Sequence, residues 1–193
     1  MVQSYNMNRV SIFPLLQFFV KCGMLYETER LILRPTTTED ADYVLAVMNT
    51  PKWLKYIGDR KVYSREAAEQ YIKDKMLPQY HRLGYSNNTV IRKSDGVKMG
   101  SCGLYDREGL EGVDIGFAFL PEYEGHGYAL EAAQKIIALA TTEWNILKIS
   151  AITTKDNLSS QRLLEKLGLQ SQGITQLPGD AEELLLYELH LNP

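Results

Sequence analysis

The sequence is short of the residues that staple small folds or hold metals. Its 193 residues include two cysteines, Cys22 and Cys102, and three histidines, His81, His126 and His190. Two cysteines make no disulfide framework, and the scattered histidines lack zinc-ligand spacing, so no metal is expected. A reducing, cytoplasmic setting is the default for such a chain. There is no excess of one charge: the formal net charge is −3, which argues against a nucleic-acid binder working through a general positive field. There is no long apolar run either. The stretch "VSIFPLLQFFVKCG" is apolar for only about a dozen residues, too short to span a bilayer. Gln17 and Lys21 interrupt it and no small-x-small cleavage site follows, so neither a membrane anchor nor a signal peptide is expected. Residues 1–24 therefore stand apart as an N-terminal extension. It is either an extra helix packed on the domain or a start placed too early, since Met24 immediately precedes the regular pattern. No Gly-Lys-Ser/Thr triplet exists, which excludes a Walker loop.

What is present reads as one ordinary globular domain, 25–193, with 45% hydrophobic and 23% charged residues. A chain of this size buries roughly 70% of its unfolded surface and needs no staple. "ERLILRP" alternates and ends at a proline, as a strand does. "TTTEDADYVLAVMN" opens with a capping box, Thr36 with Glu39 or Thr37 with Asp40, and continues with apolar residues at helical spacing. "NTPKWLKYIGDRKVY" reads as a loop, and "SREAAEQYIKDKM" as a helix capped by Ser64 and stopping near Pro78. "YSNNTVIRKSDGVKMGSCGLY" holds two strands around an Asp95-Gly96 turn. "VDIGFAFL" is a strand, "KISAITTK" another, "NLSSQRLLEKLG" a helix ended by Gly168, and "ELLLYELHL" a late strand. The order β-α-α-β-β-β-α-β-α-β-β implies a mixed α/β (α+β) fold, with one right-handed parallel crossover in a mostly antiparallel sheet.

The informative stretch is "PEYEGHGYALEAAQKIIALA", 121–140. Gly125 and Gly127 stand where an apolar strand turns into an amphipathic helix. A helix start leaves backbone N–H groups unpaired at its positive end, which suits a phosphate, and glycine lets that phosphate reach the main chain. A dinucleotide fingerprint is disfavoured, because Leu130 occupies the third glycine position and the motif lies past mid-chain. A plain tight turn is the alternative.

Together, "ETERLILRP", "EDADYV", "VDIGFAFLPEYEGHGYALEA" and "NLSSQRLLEKLGL" resemble successive landmarks of the GNAT acyltransferase family, most closely its Rim-type branch of ribosomal-protein N-terminal acetyltransferases. The resemblance implies a sheet splayed at a coenzyme cleft, with acetyl-coenzyme A as co-substrate. Its pyrophosphate would lie on the amides of Gly125, His126, Gly127, Tyr128 and Ala129. Its pantetheine would pair with the strand before them, where Gly116 hints at a bulge. An amide of Phe117, Ala118 or Phe119 would polarise the thioester carbonyl, and Asn157 would contact the coenzyme. The sequence departs from the family at Glu122, where Gln or Arg is usual, and at Leu164, where many members carry a tyrosine acid. With that role vacant, Rim-type relatives point to Ser160 as the acid, and Asp114 is the candidate base. Trp53, Tyr56 and Arg60 fall in the segment that borders the acceptor in relatives. His126 is expected to face solvent and Cys102 to be core. The expected activity is transfer of an acetyl group to a primary amine, either a protein N-terminus or a small molecule, by a monomer or homodimer. A weakly catalytic coenzyme-binding sensor is the alternative.

Overall fold

The computed structural model describes residues 24–191; the extension at 1–23 lies outside the described residues. Eight strands form one sheet in the order β1-β2-β3-β4-β5-β6-β8-β7. They are β1 (Tyr26–Glu27), β2 (Leu31–Pro35), β3 (Asn87–Arg92), β4 (Lys98–Tyr105), β5 (Val113–Phe119), β6 (Lys148–Thr153), β7 (Gln170–Thr175) and β8 (Leu184–His190). Every neighbouring pair is antiparallel except β5 with β6. The connection between those two is α5 (Tyr128–Thr142), the expected crossover. On the other side of the sheet lie α1 (Ala41–Met48), α2 (Pro51–Tyr56), α3 (Arg65–Tyr71) and α4 (Leu77–Leu83). The last helix is α6 (Leu158–Lys166). The mixed α/β class expected from the sequence is the one observed.

The core has two parts. α5 turns Ala132, Ala133, Ile136, Leu139 and Ala140 onto the sheet, where Leu31, Leu33, Cys102, Leu104, Val113, Ile115 and Ile149 meet them. α1, α3 and the turn that follows α3 build a second cluster from Val44, Val47, Met48, Ala68 and Ile72. Between α1 and the sheet lies a buried polar layer. Arg34 makes two 2.7 Å hydrogen bonds to Asp40, and Thr89 donates to the same carboxylate at 3.1 Å. Thr89 meets Thr36, Asn87 donates to Thr36 at 2.8 Å, and Tyr105 donates to Asn87 Oδ1 at 2.6 Å. Burial alone would raise the Asp40 pKa, but hydrogen bonds from Arg34, Lys98 and the Thr37 N–H bring it below the usual value.

Three local readings are corrected. The segment read as a loop after Asn49 contains α2, capped by the Thr50 hydroxyl at the Trp53 N–H with Pro51 in the first turn. The next helix does not stop near Pro78. It widens to a π-helical turn over Ile72–Met76 and continues as α4, with Pro78 in the new first turn. Proline has no N–H and crowds the carbonyl four residues back, and the wider turn absorbs both defects. Finally, β4 and β5 pair without interruption from Gly100↔Phe119 to Tyr105↔Asp114, so Gly116 is not a bulge. A Cβ built there would lie 2.8 Å from the Tyr105 ring. The glycine makes room for that ring.

Candidate active site

The parallel ladder between β5 and β6 contains two matched pairs, Val113↔Ile149 and Asp114↔Ser150. Beyond them the strands part. Residues Ile115 to Phe119 remain hydrogen-bonded to β4 but have no strand partner on the β6 side among the described residues. At roughly 3.3 Å per residue this leaves about 16 Å of strand edge facing a wedge-shaped opening. An extended ligand bearing amide groups can add to such an edge. Phe117, Ala118 and Phe119 all lie on it.

The chain leaves β5 through a short 3₁₀ turn, Pro121–Tyr123, and reaches the glycines. Gly125 has φ +77° and Gly127 φ +81°, the left-handed region where a β-carbon is penalised. A Cβ at Gly125 would meet nothing within 4 Å, so open space and backbone conformation together account for the glycine. α5 begins at Tyr128, and the N–H groups of its first turn, Ala129 among them, have no helical acceptor. The turn is fastened from behind. Arg30 donates to the His126 carbonyl at 3.1 Å and to Glu131 in the first turn at 2.6 Å, and its guanidinium lies 4.6 Å from the Tyr128 ring centroid. The sequence reading missed Arg30. Its signal was the charged "TER" before β2, which can be read only once the sheet brings that strand beside α5. The His126 and Glu122 side chains are exposed.

Across the opening, α6 begins with Asn157 as N-cap. Its side chain accepts from the Ser160 N–H at 3.2 Å and from the Ser159 hydroxyl at 2.9 Å. Asn157 and Ser160 are thus brought together at the lip of β6. Leu164, on the same helix, is buried in the core.

Asp114 is buried at 2% relative exposure. Arg107 Nε donates to its Oδ2 at 2.5 Å. Burial pushes the Asp114 pKa up to about 6, and the Arg107 charge and hydrogen bond restrain the rise. A carboxyl poised there is suited to accept a proton near neutral pH. Cys102 is fully buried and its thiol is pushed up to about 12, as expected for a core residue.

α2 lies over the opening. Lys52 pairs with Glu124 before the glycine turn, and Lys55 pairs with Asp156 before Asn157 at 2.6 Å. Trp53 packs against the α1/α3 cluster beside Ala118 and Leu120. Lys55 also donates to the Tyr56 hydroxyl at 3.1 Å, and Arg60 is exposed in the loop that follows. Trp53 and Tyr56 therefore border the opening through α2.

A strand edge parted from its neighbour, with a helix start at one lip and a helix-capping asparagine at the other, can receive an extended ligand that carries amide and phosphate groups. The family model described as "Acetyltransferase (GNAT) domain" matches residues 30–170. The chain belongs to the GNAT acetyltransferase family and is an acetyl-coenzyme A-dependent acyltransferase. It is 30% identical over 151 residues to the "Uncharacterized N-acetyltransferase p20" of Bacillus licheniformis, covering 76% of this chain and 83% of that one. It is 26% identical over 142 residues to the spermidine N(1)-acetyltransferase of Escherichia coli (strain K12), covering 73% of each. Its fold superposes with a TM-score of 0.74 on RimL, a ribosomal L7/L12 α-N-protein acetyltransferase in complex with coenzyme A. That match covers 87% of this chain and 98% of the other at 16% identity.

Proposed function

We propose that the protein acetylates a primary amine by direct attack on acetyl-coenzyme A within a ternary complex. The carrying observation is Asp114, a buried carboxyl placed where β5 and β6 separate, with its pKa raised to about 6. The amine nitrogen must be neutral to attack. Asp114 takes the amine proton, directly or through a water. The new C–N bond replaces the thioester C–S bond, and Ser160 returns a proton to the leaving sulfur. An N–H among Phe117 to Phe119 polarises the carbonyl. The amides from Gly125 to Ala129 and the side chain of Asn157 hold the coenzyme, so the reactants are aligned before reaction. Trp53, Tyr56 and Arg60 form the acceptor border. The named activity of the spermidine relative supports an amine acceptor, and the fold shared with RimL is compatible with a peptide N-terminus.

The test is release of coenzyme thiol against a panel of polyamines, small amines and peptides. Asp114→Asn is expected to lower kcat/KM by roughly 10²–10⁴, with partial recovery at higher pH where more amine is already neutral. A wild-type rate and pH profile in this variant would send the base assignment elsewhere. Tight coenzyme binding without turnover on any amine would favour a sensor.

A further inference from the structure

We propose that Arg107 is a specificity-determining residue: its guanidinium holds the Asp114 carboxylate in the free enzyme and is displaced there by the ammonium of a cationic acceptor. The inference rests on reading Asp114 as the base.

Arg107 belongs to the loop between β4 and β5, in which Gly109 and Gly112 both take positive φ. The loop is pinned on one side of it: the Asp106 carboxylate pairs with Arg82 at 2.7 Å, and the Asp106 N–H donates to Gln79 Oε1 at 3.2 Å. The two partners differ in exposure. The Asp114 side chain is 3% exposed and that of Arg107 34%. The carboxylate is therefore enclosed, whereas the cation covering it already reaches solvent and can leave by side-chain rotation.

The other groups around Asp114 are committed elsewhere. Tyr105 stands opposite on β4, but its hydroxyl is donated to Asn87 Oδ1. Ser150 stands opposite on β6, and its hydroxyl is directed at the Glu111 carbonyl at 3.5 Å. Lys148, two residues earlier on β6, is held by Glu111 and Glu188, each at 2.9 Å. Arg107 is the cation that offsets the buried charge. Removing one partner of a buried pair leaves a costly uncompensated charge. Exchanging a guanidinium for an alkylammonium avoids that cost, because each supplies N–H donors and a positive charge to the same oxygen. A neutral or weakly basic amine cannot make the exchange. The pair thus selects cationic aliphatic amines.

The experiment compares Arg107→Gln, Arg107→Lys and Asp114→Asn with the wild type. Arg107→Gln is expected to lower the acceptor KM severalfold, because the competing cation is gone. It should also move the acidic limb of the kcat/KM profile upward by about one pH unit, leave coenzyme affinity unchanged, and reduce discrimination between an aliphatic amine and an aniline. Arg107→Lys should keep the limb near its wild-type position. As a readout independent of turnover, the ¹³C titration of the Asp114 carboxyl should shift upward in Arg107→Gln. A raised acceptor KM with an unmoved limb and titration would overturn the proposal, showing that Arg107 binds the acceptor or only braces the loop. Asp114→Asn separates the two readings. If it retains the acidic limb, Asp114 is not the base. If it abolishes the limb while Arg107→Gln leaves it in place, only the role of Arg107 fails.

Discussion

Lys55 on α2 and Asp156 at the start of α6 form an ion pair at 2.6 Å, and one turn earlier Lys52 pairs with Glu124 beside the glycine turn. One short helix is thereby tied to both lips of the β5/β6 opening. α2 has no fully buried residue, so Trp53 and these two pairs are what keep it there. Both pairs are exposed to solvent, and exposed pairs are weak and screened by salt. The double substitution Lys52→Met with Lys55→Met is expected to leave the melting temperature almost unchanged and to speed coenzyme release severalfold. Stopped-flow displacement checks this, and raising ionic strength should reproduce part of the effect in the wild type. An unchanged release rate would mean that α2 does not cover the coenzyme.

The glycine turn makes a sharper demand. Gly127 has φ +81°, and a Cβ there would lie 3.5 Å from the Arg30 guanidinium. Gly127→Val is therefore expected to force the backbone out of the left-handed region and misalign the first-turn amides of α5. Coenzyme affinity should fall at least tenfold, about 1.4 kcal/mol. Calorimetry on a variant that keeps its melting transition checks it, and an unchanged affinity would contradict the phosphate-cradle reading.

Much of this architecture was legible in the sequence, for physical reasons. α5 shows because Ala132, Ala133, Ile136, Leu139 and Ala140 recur at helical spacing, and the left-handed glycines show because few other residues tolerate that conformation. α2 was invisible because "PKWLKY" is too short to show a helical period; Trp53 and ion pairs with residues far along the chain hold it. Pro78 was misread because a π turn lets a helix pass a proline, and nothing local announces it. The Asp114–Arg107 pair was missed because a hairpin loop, not a periodic element, brings the two together.

Asp114 also makes a prediction about stability. Its pKa in the folded state is raised from 3.8 to about 6. Between these values the folded state binds more protons than the unfolded state, so stability falls as pH rises from about 4 to about 6 and then levels off. At ~1.36 kcal/mol per unit, the ionised carboxyl costs up to ~3 kcal/mol above that window. Asp114→Asn is expected to melt higher than the wild type at pH 8 and to lose that advantage at pH 4. Urea titrations at the two pH values test it. An equal difference at both would show that the carboxyl titrates normally in the fold.

The last prediction concerns Gly116 and Tyr105. β5 runs in unbroken register past Gly116, and a Cβ there would sit 2.8 Å from Tyr105 Cε2. The ring cannot retreat freely, because its hydroxyl is held at 2.6 Å by Asn87, which is itself bonded to Thr36 within the buried polar layer. Gly116→Ala should therefore behave as an overpacked site and cost about 1–3 kcal/mol, despite the better strand propensity of alanine. Tyr105→Ala should cost stability by itself, through the lost ring and the unpaired Asn87. In the double variant the clash is gone, so the added cost of Gly116→Ala should shrink by ~1 kcal/mol or more. A double-mutant cycle by urea unfolding measures the coupling. If Gly116→Ala costs the same with and without the ring, the strand rather than Tyr105 requires the glycine, and the close approach is not its reason.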